Sequence, residues 1–243
     1  MDQNLACNRK SVFGIGTLLV QILASTLAFP AWAGRPLATE DAGVLGQREC
    51  EIESYAGRGR DSDEPSVSTR SVQFGCGIGH NTQLAFGIGS ERSDGEKSKL
   101  VALTGKTFLR ELTDEQTGYT LAYTLFAAKE PEDDRIKHNA TEVIAVATVP
   151  SKGWLFHANL GLHYSKPSKD TTTIWGLAAE RTGAVGPVDL MTEIFGDDSS
   201  APWVQVAARW SVIPERFYLD TSWGVQTGNT RSRQITIGLK LAF

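Results

Sequence analysis

Between Gly153 and Tyr164 the side chains alternate without a break. Trp154, Phe156, Ala158, Leu160, Leu162 and Tyr164 share one face, and Leu155, His157, Asn159, Gly161 and His163 share the other. Period two is the period of an extended strand. Aromatic residues mark both ends of the apolar face and aliphatic residues fill its middle. A strand crossing hydrocarbon between two interfacial belts needs that distribution. A half-buried strand of a soluble sheet also alternates, but requires neither this length nor these ends. The end of the chain repeats the pattern: Ile235, Ile237, Leu239, Leu241 and Phe243 on one face, Gln234, Thr236, Gly238, Lys240 and Ala242 on the other.

The same alternation predicts ten further strands, at about 48–58, 67–77, 82–91, 98–109, 118–128, 139–149, 172–182, 187–196, 202–212 and 216–226. Segments 59–66, 92–97, 129–138, 165–171, 197–201 and 227–231 are rich in Asp, Glu, Lys, Ser, Gly and Pro, and read as outer loops. The alternate connections, such as Pro150-Ser151-Lys152-Gly153 and Ile213-Pro214-Glu215-Arg216, are tighter and read as periplasmic turns. An even strand count with both termini in the periplasm follows. Strands of about eleven residues, tilted, match the hydrocarbon thickness. In lipid every backbone group must pair within the sheet, so the sheet must close. The expected fold is therefore all-β, a transmembrane antiparallel up-and-down barrel of about 12 strands. A secreted β-sandwich is the alternative, with shorter strands and no terminal aromatic.

The N-terminus agrees with export. Arg9 and Lys10 precede an apolar stretch from Val12 to Ala28, and Ala31-Trp32-Ala33 forms an A-x-A site, placing cleavage before Gly34. Residues 1–33 thus read as a Sec signal peptide rather than an uncleaved anchor. Asn8-Arg9-Lys10 lacks a twin-arginine pair, and Cys7 lies before the apolar run, which excludes a lipoprotein cleavage site. Removing Asp2, Arg9 and Lys10 with the signal leaves 22 Lys+Arg and 27 Asp+Glu, a formal net charge of −5, with no basic patch for nucleic acid. Residues 34–47 form a periplasmic leader or a small plug, and 48–243 the outer-membrane barrel.

With apolar faces toward lipid, the polar faces line the lumen. They carry Lys106, Glu142, His157, Asn159, His163, Glu180, Asp189, Glu193, Arg209, Asp220, Gln226 and Lys240. A charge on the lipid face at the midplane would cost about 2–4 kcal/mol, which reinforces the inward assignment. Two readings compete. These groups line a narrow polar pathway, or they pair across the lumen and fill it. Twelve strands fall between the filled eight-stranded barrel and the open channel of sixteen to eighteen. His157 and His163 raise a lipid-modifying activity as a third reading, but six residues along a strand separates them by about 20 Å, and no GxSxG nucleophile motif occurs. No cofactor or metal motif is present either: Gly75, Gly77, Gly79, Gly87 and Gly89 recur at strand period and lack the GxGxxG spacing of a phosphate loop. Cys50 and Cys76 are the two cysteines of the exported chain, an even count that favours a disulfide. A hairpin of the first two strands sets them directly opposite one another.

Arg35-Pro36-Leu37-Ala38-Thr39-Glu40-Asp41-Ala42-Gly43-Val44-Leu45 resembles the opening of a family of Gram-negative outer-membrane proteins named for the phenol meta-cleavage pathway (MetA-type). Cys50-Glu51-Ile52-Glu53, Phe74-Gly75-Cys76-Gly77-Ile78-Gly79 and His157-Ala158-Asn159-Leu160-Gly161 resemble further stretches of it. The resemblance implies a barrel that transports aromatic or other hydrophobic compounds, and carries over no catalytic residue. The partners expected are outer-membrane lipid and lipopolysaccharide, a small-molecule solute, and the barrel-insertion machinery, which reads a C-terminal aromatic such as Phe243. The function expected is a porin-like channel for passive passage of small solutes. The alternative is a closed structural or surface-interaction barrel.

Overall fold

The structure is a computed structural model that describes residues 36–61, 65–129, 135–228 and 232–243; the signal peptide read at 1–33 lies outside the described residues. Twelve strands follow one another: β1 (Cys50–Arg60), β2 (Val67–Gly79), β3 (Thr82–Ser93), β4 (Glu96–Arg110), β5 (Gly118–Lys129), β6 (Lys137–Ser151), β7 (Trp154–Ser165), β8 (Asp170–Val185), β9 (Val188–Asp197), β10 (Trp203–Ile213), β11 (Phe217–Gln226) and β12 (Arg233–Ala242). Each pairs antiparallel with its sequence neighbours, and β1 pairs with β12, so the sheet closes into a barrel without an edge. Past the end of β12, Phe243 exchanges both backbone hydrogen bonds with Cys50, which extends the seam to the last residue.

The strands fall where the alternation puts them, with one correction. Segment 92–97 is not a loop. β3 and β4 run on to pair through Ser93↔Glu96, joined only by Asp94 and Gly95. Both have positive φ, 48° and 85°, and an Asp-Gly pair accepts the left-handed backbone of a two-residue hairpin turn. Polar composition there marks strand ends standing beyond the membrane.

Along the middle of the strands more and less buried residues alternate, and the exposed ones there are mostly apolar. Phe86 is 52 % exposed, Leu160 62 %, Leu177 54 %, Trp223 51 % and Ile237 62 %. A continuous apolar exterior around a closed sheet is that of a barrel immersed in lipid. The chain is an outer-membrane β-barrel. Tyr123 lies flat over Gly105 on this exterior: a Cβ at 105 would sit 2.2 Å from the ring. Cys50 and Cys76 are register partners in β1 and β2 and form a disulfide. It faces outward near the periplasmic rim, where the Phe74 and Phe243 rings stack 6.4 Å apart.

Candidate functional site

The interior is polar, and a piece of the chain itself runs through it. Residues 36–47, which precede β1, climb from the foot of β2 and β3 across the bore to β9 and β10. At the base, Gln47 bridges Gly77, and the Leu45 N–H donates to Gln83 Oε1 at 2.7 Å. A Cβ on Gly77 would lie 2.0 Å from the carbonyl oxygen of Gly46, so only glycine lets the segment approach this wall.

Ala42 is held at three points. Its N–H donates to Thr148 Oγ1 (2.9 Å), its carbonyl accepts from Thr120 Oγ1 (2.7 Å), and its methyl packs among Ala122, Ile144 and Val146. Glu40 is clamped by an amide. Asn159 Oδ1 accepts the Glu40 N–H at 2.6 Å while Nδ2 donates to the Glu40 carbonyl at 2.9 Å, imitating one rung of a β-ladder. The Glu40 carboxylate meets Lys106 Nζ at 3.1 Å, and Asp41 lies 3.7 Å from the same ammonium. Farther up, Glu193 receives the N–H groups of Ala38 and Thr39 at 2.8 Å each, and Gln205 Nε2 at 2.7 Å. Gln205 Nε2 also donates to the Pro36 carbonyl. Leu37 fills an apolar niche of Ala178, Met191 and Ala207.

The residues read as lumen-lining from the sequence are all buried or half-buried. Lys106, His157, Glu180, Glu193 and Asp220 are buried; Glu142, Asn159, His163, Asp189, Arg209 and Lys240 are half-buried. Lys106, Asn159 and Glu193 bind residues 36–47. The others pair along the wall. Glu142 and His163 are register partners at 3.1 Å. Lys240 contacts Glu51, and Glu53 at 3.5 Å. Arg209 stands between Asp189 and Asp220 in the ladder. Asp189 sits at the periplasmic rim, accepting the Gly183 N–H, and Gln226 caps the outer rim through the Ala201 carbonyl. On the wall, acids outnumber bases.

Reading from the sequence missed Glu51 and Glu53, both buried. Their signal was available: Cys50 and Ile52 face out, so period two turns Glu51 and Glu53 inward. It also missed Thr120 and Thr148, which look like ordinary strand formers until a backbone needs their hydroxyls.

Thr148, His157 and Glu180 have the connectivity of a nucleophile, a base and an orienting acid. Thr148 Oγ1 lies 2.9 Å from His157 Nδ1, and His157 Nε2 lies 3.7 Å from Glu180. Thr148 is fully buried, however, and its hydroxyl oxygen is already engaged by the Ala42 N–H. With the segment seated, the trio anchors it and the Thr148 hydroxyl meets no open space.

Solved structures of the same fold include a KdgM porin in complex with disordered oligogalacturonate (8 % identity, TM-score 0.60, covering 79 % of this chain and 99 % of that one). The COG4313 outer membrane channel from Pseudomonas putida F1 is similar at 10 % identity and TM-score 0.58, over 84 % of this chain and 98 % of that one. The outer membrane phospholipase A from Escherichia coli is similar at 8 % identity and TM-score 0.51, over 81 % and 93 %. At such identities the likeness is one of fold, and barrels of this fold include both channels and an enzyme. No functionally curated sequence matches the chain. The family described as uncharacterised conserved protein UCP029691 matches residues 20–243, nearly the whole chain, and the chain belongs to it.

Proposed function

We propose that the protein is an outer-membrane channel for small solutes, with residues 36–47 seated in the bore as a removable plug. The observation that carries this reading is the division of labour among the interior charges. Lys240, His157 and His163 pair with carboxylates on adjacent strands of the wall. The middle of the bore is instead crossed by a segment held through hydrogen bonds and one ion-pair cluster. A barrel built only to be solid would fill its centre with side chains from the wall. Here three of the wall's basic groups pair with carboxylates around the circumference, and what crosses the centre is a stretch of chain that runs on through Arg48 and Glu49 into β1.

With the segment withdrawn, the exposed lining is rich in carboxylates, which favours cations and neutral polar solutes over anions. The resemblance to the MetA-type family supports small aromatic compounds as the solutes to try first.

The test is single-channel conductance of the mature chain 34–243 in a planar bilayer beside a chain lacking residues 34–46. The shortened chain is expected to open to larger, cation-preferring steps, and the full chain to show small or rare ones. Silence from a shortened chain shown to be folded would replace the channel with a closed structural barrel.

A further inference from the structure

Outward-facing charge is distributed unevenly around this barrel. The register aligns Ala56, Arg70, Ser90, Lys99 and Lys129 in one row across β1 to β5. It aligns Arg58, Ser68, Arg92 and Lys97 in the next row toward the outer end. One step below lie Ser54, Val72, Ile88, Val101 and Ala127, and below those Ile52, Phe74, Phe86, Leu103 and Leu125. Two cationic rows therefore sit directly on the lipid-facing apolar surface, each row about 7 Å from the next.

The arrangement has three further properties. Arg58, Arg70, Arg92, Lys97 and Lys99 are all exposed. The acids Glu51, Glu53 and Glu91 occupy the alternate positions and point to the other face, while Glu96 stands exposed at the β3–β4 hairpin tip, also at an alternate position. Ser68 and Ser90 stand between the cations within the rows, leaving gaps with a hydroxyl at the base. On the opposite side of the barrel, toward the same outer end, the outward positions include Tyr164, Thr171, Thr173, Trp175, Gly196 and Val204, none of them charged.

We propose that the outward face of β1 to β5 binds the phosphorylated headgroup of lipopolysaccharide. Charge complementarity and continuity with the membrane surface select this occupant. The rows lie at the end of the barrel away from the start of β1 and the end of β12, hence in the outer leaflet, whose anionic lipid is this glycolipid. Its phosphates meet the Arg and Lys rows while its acyl chains lie on Val72, Phe74, Phe86, Ile88 and Leu103. Arginine and lysine at the level of phosphate gain both ion pairing and, for arginine, bidentate hydrogen bonds. The site is independent of whether the lumen conducts.

The test is a binding titration of the folded full-length mature protein in detergent with lipopolysaccharide, with the same glycolipid dephosphorylated, and with phosphatidylglycerol. The variant R70S/R92S/K99S and the control R110S, a loss of charge at the periplasmic rim, are measured alongside. Each cation near an anionic surface contributes about five-fold in affinity. The triple variant is thus expected to bind lipopolysaccharide on the order of 100-fold more weakly, and R110S as tightly as the parent. Dephosphorylation should weaken binding to the parent protein to a similar degree, a result that needs no variant to fold. Unchanged binding by the folded triple variant, equal binding of the dephosphorylated glycolipid, or equal affinity for phosphatidylglycerol would overturn the proposal. So would competition by millimolar inorganic phosphate, which would mark a site for the free ion.

Discussion

Glu193 is the residue on which the upper half of the bound segment hangs. Its two oxygens take two backbone N–H groups and one amide, and hydrogen bonds to a charged acceptor are worth about 1.5–3 kcal/mol each. Glu193→Ala strands all three donors. The segment should detach from β9 while Ala42 stays clamped by Thr120 and Thr148. Amide hydrogen exchange at Ala38 and Thr39 is expected to speed up at least 100-fold, and channel openings to become more frequent. Unchanged exchange at both amides would show that Glu193 does not hold the segment. Glu193→Gln should fall between, because it keeps one acceptor and turns a donor toward the other N–H. Glu193 was legible in the sequence as an inward carboxylate. Its partners were not, because they lie 154 and 155 residues away and no local period encodes a contact of that separation.

Strands were the legible elements, and the reason is physical. Lipid demands an apolar residue at every second position, so each crossing writes its own face into the sequence. Where lipid stops, the signal changes meaning: the polar ends of β3 and β4 read as a loop although they pair to the last residue. The first hairpin carries two predictions. Gly77→Ala places a methyl against the Gly46 carbonyl, so the base of the segment must lift while the β1–β2 ladder persists. Hydrogen exchange confined to Leu45–Gln47 would display this, whereas protection equal to the parent's would show that the strand yields instead. Breaking the Cys50–Cys76 bridge, which spans a sequence separation of 26, should cost about 3 kcal/mol through the freedom it restores to the unfolded chain. The C50S/C76S variant is expected to unfold at lower denaturant concentration, and an unmoved midpoint would mean the barrel seam alone restrains that hairpin.

At the scale of the whole molecule, closure governs stability. The β1–β12 ladder continues through the paired backbone bonds of Cys50 and Phe243, so no strand can peel from an edge. The folded protein should resist SDS at room temperature and migrate differently after boiling. Identical mobility before and after heating would contradict a closed barrel. Removing Phe243 deletes two seam hydrogen bonds and the stack on Phe74, and is expected to lower the temperature of the mobility shift. The barrel as a whole was legible because twelve faces agreed. The segment inside it was legible only as a polar stretch before the first strand, since its hydrogen bonds use backbone groups that every sequence possesses.

The position of that segment in the chain also sets an order in time. Residues 36–47 precede every strand in the chain, yet Pro36 finds its partner only at Gln205, 169 residues later. The bore that receives them does not exist until β12 has closed on β1. Contacts of that sequence separation close the longest loops in the fold, so the segment that comes first in the chain completes its contacts only once the wall around it is assembled.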